Sequence, residues 1–558
     1  MNINTTIEPE KTAVPTPAAA LSGSVPRGIE SWLRAHVNVI AVAITAAGFI
    51  ARLVAANATY FNPDESLHYL LINEPSLWLA YKASLTNAHP PLIYVLVYFW
   101  RLLGRSEVML RFPLVLAGTG FCWFFFKWVQ RLFGNAAGLL ALVLAAFSPT
   151  LVTLSAELRE YALLLCGMCA ALYFLEKAFD ENSPRKMWLF SLSLYFAILS
   201  HYSAAFFALT VGLYVLARLV ESHFPRKLTL AWTAGQAGAL LIYLALYLTH
   251  LANIRKSLAV WATSFGETLY HFDQDSIFQF TRQNTWNIFF YLFPHQYAAA
   301  AMLVCFIAGI GFLITLELSP ARPAAGSPHL ALLLLVPFLA VWAAAVAGIY
   351  PYIGSRHTVF LAPFAIAAAS FLLAKLSRQK LWPAALFASA LMILPIAYGR
   401  RPEPGLASQS RPLMKNAIDY LHQSAGPHDL ILADMQSSIS LAYYYCGSKQ
   451  PLFMAWSQSS LDELHCSGHR IATLHFWLLR PEGLDYAFGK VARQFSLKPG
   501  DRVWIFQAGW GGNLMAKLPQ EQAGFRCVAP KTFGENITVL PLIVGPDLAP
   551  APQTDCQN

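Results

Sequence analysis

The chain has 558 residues, of which 56% are hydrophobic and only 12% charged, and its mean hydropathy is +0.46. Soluble domains carry about 25% charged residues, so this composition excludes an ordinary soluble protein and indicates a polytopic membrane protein. The net charge of +9 comes from Lys and Arg spread over short loops, not gathered in one basic stripe, which argues for topology signals and against a nucleic-acid partner.

Residues 1–30, rich in Pro, Thr, Ala and Ser, cannot bury a core and read as a disordered cytoplasmic leader. The first apolar run, Val37 to Ala56, follows Arg27 and Arg34. It reads as a retained signal anchor, since many further spans make cleavage unnecessary. Other apolar segments lie near 90–104, 110–128, 136–154, 160–178, 187–199, 203–220, 229–250, 297–316, 329–348, 357–375 and 381–398. The expectation is an α-helical membrane domain over residues 31–400 with about 11 to 13 transmembrane helices.

Between the first two segments, in a first outward loop spanning 57–89, lies the polar island Asn62-Pro63-Asp64-Glu65-Ser66, followed by His89-Pro90-Pro91-Leu92. Adjacent carboxylates beside membrane-grade sequence are costly unless they act on something at the bilayer surface. Orientation follows from the basic loops, which belong to the cytoplasm. Arg185 with Lys186, Arg218 with Arg226 and Lys227, and Lys375 with Arg378 and Lys380 mark alternate loops. Glu157 to Tyr161, His201-Tyr202, the segment 251–296, Tyr350 to Arg356 and the tail after Arg400 then face outward. Counting forward from an inside N-terminus puts Asp64 outside too, but three full crossings before Glu157 would place that residue inside. One of the three segments is therefore not a complete span. The short segment 90–104, which opens with His-Pro-Pro and is followed by Arg101, Arg105 and Arg111, is the prime candidate, with Lys127 and Arg131 offering an alternative cytoplasmic loop.

Cys122, Cys166, Cys169 and Cys305 lie in apolar runs and read as small hydrophobes. The Cys166-Gly-Met-Cys169 spacing has no second pair to complete a metal site. Cys446, Cys466, Cys527 and Cys556 lie in the tail, where disulfides form if it meets an oxidising compartment. His465-Cys466-Ser-Gly-His469 is a metal candidate there, with a polar surface turn as the alternative. The tail, 401–558, alternates helix-like and strand-like stretches at Pro412 to Ser424, Asp429 to Ala433, Ser438 to Cys446, Arg470 to Leu478, Leu484 to Phe495 and Arg502 to Gln507. This predicts a soluble extracytoplasmic α/β domain. Gly509-Trp510-Gly511-Gly512 lacks the Lys and Ser/Thr of a phosphate loop.

The run Asn62-Pro63-Asp64-Glu65, then His89-Pro90-Pro91-Leu92-Ile93-Tyr94, Leu103-Gly104-Arg105-Ser106-Glu107 and Leu110-Arg111-Phe112-Pro113 resembles the membrane glycosyltransferases of the protein O-mannosyltransferase (family 39) and aminoarabinose transferase type. Leu132-Phe133-Gly134, Leu158-Arg159-Glu160-Tyr161-Ala162-Leu163, Ser200-His201-Tyr202 and Ser355-Arg356-His357 agree with it. The resemblance covers about residues 37–400 and implies a C-type glycosyltransferase fold. It also implies hexosyl or pentosyl transfer from a polyprenyl-phosphate sugar to a lipid, glycan or protein acceptor, in the cytoplasmic membrane and on its outer face. Such transfer needs a base for the acceptor hydroxyl and stabilisation of the departing phosphate. Asp64 is the expected base, with helix N-cap as its competing role; Glu65 assists it, binds a cation or forms an ion pair. His89 helps to shape the donor site, and Arg356 is the expected phosphate ligand because guanidinium matches phosphate geometry. Arg159, Tyr161 and His201 line the same cavity, although Arg159 equally suits a structural ion-pair cluster with Glu157 and Glu160. Asp64, Glu65 and His89 together supply ligands for a divalent metal. The competing classes are a transporter or flippase of lipid-linked glycans and a noncatalytic membrane assembly factor.

Overall fold

The computed structural model describes residues 27–252, 268–318, 329–398, 410–447, 461–466, 468–474, 484–509 and 525–546. The leader lies almost wholly outside these residues, as do Trp510, Gly511, Gly512 and Cys556, and parts of the 251–296 and Arg470 to Leu478 stretches. The protein is a multi-pass membrane body joined to an α/β tail. A short helix α1 (Arg27–Ala35) leads into the first long apolar helix, α2 (Val37–Ala58). Three short helices follow, α3 (Pro63–Ile72), α4 (Leu77–Ser84) and α5 (Leu92–Trp100). The 27-residue α6 (Glu107–Phe133) returns through the body, and α7 (Asn135–Phe147) with α8 (Pro149–Ser155) forms one bent pair with a 62° turn. Next come α9 (Tyr161–Asp180), α10 (Pro184–Ser200), α11 (Ala204–Glu221) and α12 (Arg226–Leu246), the last continued by a π-helical turn to Leu251. The body closes with α13 (Ile277–Leu292), α14 (Gln296–Leu318), α15 (Leu330–Val346), α16 (Ala362–Leu376) and α17 (Leu381–Ala397). A 3-10 turn, Arg356–Leu361, opens α16.

Among the described residues seven helical stretches are long and apolar enough to cross a membrane, or eight with the bent pair counted. Three further helices, α10, α15 and α17, have 17 residues each, the short end of the range that crosses a bilayer. With them the described helices reach 11, the lower end of the expected 11 to 13, and the basic loops alternate as the sequence requires. Helix α5 has nine residues, about 14 Å of rise against roughly 30 Å of hydrocarbon, so it does not span. Segment 90–104 is thus the incomplete one, and with α6 and the bent pair of α7 and α8 counted as one crossing each, two crossings separate Asp64 from Glu157.

The bend between α7 and α8 has an identifiable cause. Ser148 caps α8 through Leu151 N, Pro149 occupies its first turn, and the Ser148 hydroxyl donates to Leu292 O at 2.8 Å. Pro149 cannot continue the ladder of α7, so the last carbonyls of that helix need other donors. Buried Arg52 supplies them: Nη1 donates to Ala146 O at 2.9 Å and Nη2 to Ala145 O at 3.1 Å. Gly118 makes the room, since a Cβ there would lie 2.4 Å from Ser155 Cβ and 3.0 Å from Arg52 Nε.

The tail holds a seven-stranded sheet of order β2-β3-β1-β4-β7-β5, with β6 also paired to β7. The strands are β1 (Leu430–Asp434), β2 (Leu461–Cys466), β3 (His469–Leu474), β4 (Arg502–Ala508), β5 (Phe525–Cys527), β6 (Lys531–Thr532) and β7 (Ile537–Val544). β1 runs parallel to β3 and β4; the other pairings are antiparallel. Helices α18 (Arg411–Ser424), α19 (Met435–Tyr444) and α20 (Leu484–Gln494) complete it. Five of the six expected tail stretches fall on these elements with closely similar bounds, and Arg470 to Leu478 does so over its described part. β2, β5, β6 and β7 were not foreseen. The metal reading of His465 to His469 is corrected: Cys466 forms a disulfide with Cys446, His469 Nδ1 meets the Tyr445 hydroxyl at 2.8 Å, and His465 pairs with Glu463.

The tail rests on the short helices that carry the polar island. Ile439 and Ala442 of α19 pack against Leu70 of α3. The Tyr444 hydroxyl accepts from Phe61 N at 2.6 Å and donates to Glu107 at 2.7 Å, and Arg411 donates to the other Glu107 oxygen at 2.8 Å. At the end of β4, Gly509 has φ +77°, and a Cβ there would meet the Pro63 ring at 3.0 Å, so glycine suits both the backbone and the close approach.

Candidate active site

Helix α3 begins with a reciprocal cap. Asn62 Oδ1 accepts from Glu65 N at 3.0 Å while Glu65 Oε2 accepts from Asn62 N at 3.1 Å, with Pro63 in the first turn. This is the capping-box arrangement. Asn62 therefore holds the N-cap position expected as the alternative for Asp64, which is left to face outward from the second helical position.

Glu65 is fully engaged and fully buried. Arg111 donates to it twice, Nε to Oε1 and Nη2 to Oε2, each at 2.7 Å, and Leu158 N adds a third donor at 2.6 Å. Arg111 also donates to Ala56 O, Thr59 O and Tyr60 O at 2.7 to 2.9 Å. The catalytic and cation-binding expectations for Glu65 are thereby corrected: of its open roles, the ion pair is the one the fold uses, and it seats the loop before α3 on α6. Arg111 is accordingly no cytoplasmic marker. Arg101 is likewise buried, donating to Asn73 and to Glu74 O.

Asp64 stands between two guanidinium groups. It pairs with Arg159 Nη1 and with Arg356 Nη1, the latter at 2.8 Å. Burial pushes the Asp64 carboxyl up, but Arg356 and Arg159 outweigh it and hold the group below the usual carboxylate range. Three segments far apart in sequence meet here: the start of α3, the loop between α8 and α9, and the 3-10 turn before α16. The Arg159 side chain is only 3% exposed, whereas those of Asp64 and Arg356 keep 25% and 21%.

The rest of the cluster continues inward. Arg159 Nη2 donates to the Tyr161 hydroxyl at 3.2 Å and lies 3.4 Å from His89 Nε2. The His201 ring stands 5.5 Å from Tyr161 and 5.7 Å from His89. Burial pushes His201 down to about 4, Glu160 opposing and Arg159 reinforcing the shift, so the ring is neutral at ordinary pH. His89 is held by its own loop, where Asn87 O contacts His250 Nε2 at 2.6 Å and Tyr202 contacts the other nitrogen of that ring. Six of the seven expected residues, Asp64, His89, Arg159, Tyr161, His201 and Arg356, thus converge.

The metal-capable group differs from the expected Asp64, Glu65 and His89. Among the described residues, His68, His89 and Glu160 place one ligand atom each within 4.8 Å of one another, all buried. Asp64 and Glu65 are committed to arginines. His68 follows Asp64 by four positions and so shares its helix face, a signal present in the sequence. Glu160 was read there only as a neighbour of Arg159.

The chain is similar to known proteins over part of its sequence and over most of its fold. Residues 88–252 match the dolichyl-phosphate-mannose-protein mannosyltransferase family. The matched stretch contains His89, Arg159, Tyr161 and His201, while Asp64 and Arg356 lie outside it. The crystal structure of ArnT from Cupriavidus metallidurans bound to undecaprenyl phosphate aligns with a TM-score of 0.50 at 13% identity, covering 90% of this chain and 97% of that one. The Archaeoglobus fulgidus oligosaccharyltransferase in complex with Zn and sulfate aligns with a TM-score of 0.44 at 11% identity, over 83% of this chain and 68% of that one. No curated protein matches the chain. The fold is the C-type membrane glycosyltransferase fold.

Proposed function

We propose that this protein is a membrane glycosyltransferase that moves a hexosyl or pentosyl group from a polyprenyl-phosphate donor to a lipid, glycan or protein acceptor. The observation that carries the reading is Asp64 held by Arg159 and Arg356 beside the ends of membrane helices. A carboxylate and two permanent cations are the groups that transfer from a phosphate-linked sugar requires. The phosphate of the donor competes with Asp64 for the guanidinium of Arg356, the more exposed of the two. Relieved of that partner, the carboxylate accepts the proton of the acceptor hydroxyl as its oxygen bonds to the anomeric carbon. The bond from that carbon to the phosphate oxygen breaks, and the polyprenyl phosphate leaves on Arg356 and Arg159. ArnT, structurally alike, was crystallised with undecaprenyl phosphate, which supports a lipid-phosphate donor here.

In this reading the Asp64 face and the tail 401–558 are extracytoplasmic, the basic loops at Arg185, Arg226 and Lys375 are cytoplasmic, and the membrane is the cytoplasmic one. No step above depends on a divalent ion.

Replacing Asp64 by Asn keeps the shape of the side chain and removes the base. Membranes carrying Asp64→Asn are expected to lose at least about 100-fold of transfer while the protein remains folded. Transfer at the parental rate would overturn the assignment. Mass spectrometry of lipids and glycans from a deletion strain supplies the product to be assayed, as the species that lacks one sugar.

A further inference from the structure

We propose that His68, His89 and Glu160 form a binding site for one divalent cation of the zinc class. The residues come from α3, from the loop before α5 and from the loop before α9, and their exposures are 2%, 9% and 0%. His68 Nε2 lies 3.4 Å from Glu160 Oε2 and His89 Nδ1 lies 3.1 Å from Glu160 Oε1. With one ligand atom from each residue, the three lie within 4.8 Å of one another, wider than the roughly 3.3 Å edge of a tetrahedron whose centre is about 2.0 to 2.1 Å from each ligand, so the side chains draw together as the ion binds.

His68 Nε2, His89 Nδ1 and both carboxylate oxygens of Glu160 are buried, and their near polar neighbours are one another and Arg159. The tautomer of His68 sharpens the point. Its Nδ1 lies 2.7 Å from Asp64 O, a carbonyl that can only accept, so Nδ1 carries a proton, and the tautomer with no second proton aims the Nε2 lone pair at a carboxylate oxygen. A cation between them resolves that repulsion. An imidazole whose far nitrogen donates to a backbone carbonyl is also the arrangement that orients histidine ligands on metals.

The charges nearby permit the ion. Arg159 Nε lies 3.7 Å from Glu160 Oε2, which opposes a second cation, but Asp64 offsets Arg159 through their ion pair. With the metal on Nδ1, His89 carries its proton on Nε2 and gives up the weak bond that Arg159 Nη2, which can only donate, makes to that nitrogen at 3.4 Å; Arg159 keeps its contacts with Asp64 and Tyr161. Two imidazoles and one carboxylate with a fourth position open suit Zn(II), or Co(II) in its place. Because His68 is tied to the Asp64 backbone, the ion would fix the helix that carries the base.

The inference stands apart from the transferase reading, since binding is measured without donor or acceptor. The full-length protein in detergent, exposed to Zn(II) and then desalted, is expected to retain about one equivalent of metal. Loaded with Co(II), it is expected to show the intense visible bands of a four-coordinate imidazole site. His68→Gln and Glu160→Gln are each expected to abolish both signals. Should either variant aggregate, the Co(II) spectrum of the parent protein decides alone. No retained metal and no visible bands in the parent, or undiminished binding in a folded variant, would overturn the proposal.

Discussion

Two neighbouring carboxylates have opposite fates because their surroundings differ. Asp64 keeps a quarter of its side chain exposed beside Arg356, whereas Glu65 is sealed between Arg111 and two backbone amides. Breaking a buried ion pair by removing one partner costs about 3 to 5 kcal/mol. Glu65→Gln is therefore expected to lower the melting temperature in detergent far more than Asp64→Asn does, and the double change Glu65→Gln with Arg111→Met to recover part of the loss. A parental melting temperature for Glu65→Gln would contradict the structural role. The sequence made Asp64, Arg159 and Arg356 legible as single residues because acids and permanent cations are conspicuous beside apolar runs. It did not reveal which carboxylate was free, since Arg111 is 46 positions from Glu65 and no local pattern links them. The cap was more accessible: Asn62 and Glu65 stand three apart with Pro63 between them, which is enough to name the helix start.

Among the elements, the bent pair of α7 and α8 delivers Glu157 to Tyr161 to the site, and Arg52 maintains it. Charged residues within membrane helices are read by default as functional; here the guanidinium serves two carbonyls left over by the bend. Leaving a buried polar group unpaired costs about 1 to 3 kcal/mol. Arg52→Met is expected to destabilise by roughly 2 to 5 kcal/mol in thermal unfolding and to depress transfer through misplacement of Arg159. Arg52→Lys, which can reach one carbonyl, is expected to lose less. Equal stability of all three proteins would exclude the capping role. In the tail, β7 escaped notice because Pro541 interrupts its pattern, and proline normally argues against a paired strand. The structure accommodates it: β5 pairs with Leu542 to Val544 and β6 with Thr538 and Val539, so Pro541 falls in the gap between them.

Across the whole molecule, Asp64, Arg159 and Arg356 share a face, and Glu107 joins the same face through Tyr444 and Arg411 of the tail. The basic end of α16 lies at the other side, where Arg34 donates to Gln379 O and Glu30 accepts from Leu381 N. A cysteine placed at Ser106 and one placed at Lys380 are therefore expected to react with an impermeant maleimide from opposite sides, Ser106 from outside in intact cells. Cytoplasmic labelling at Ser106 would require α5 to cross. Parity could be argued from the sequence because basic loops alternate, and that alternation requires the 17-residue helices α10, α15 and α17 to cross along with the longer ones.

The contact between Gly509 and Pro63 changes what the two parts of the chain are. A boundary near residue 400 divides the polypeptide, but the surface that seats α3 is made by α19 and the end of β4, more than 300 residues later. Mechanically, the helix bearing Asp64 is the lowest layer of the tail as much as the top layer of the body. A side chain at position 509 would have to push that helix aside, so the seat of the carboxylate is specified as much by the end of β4 as by the body.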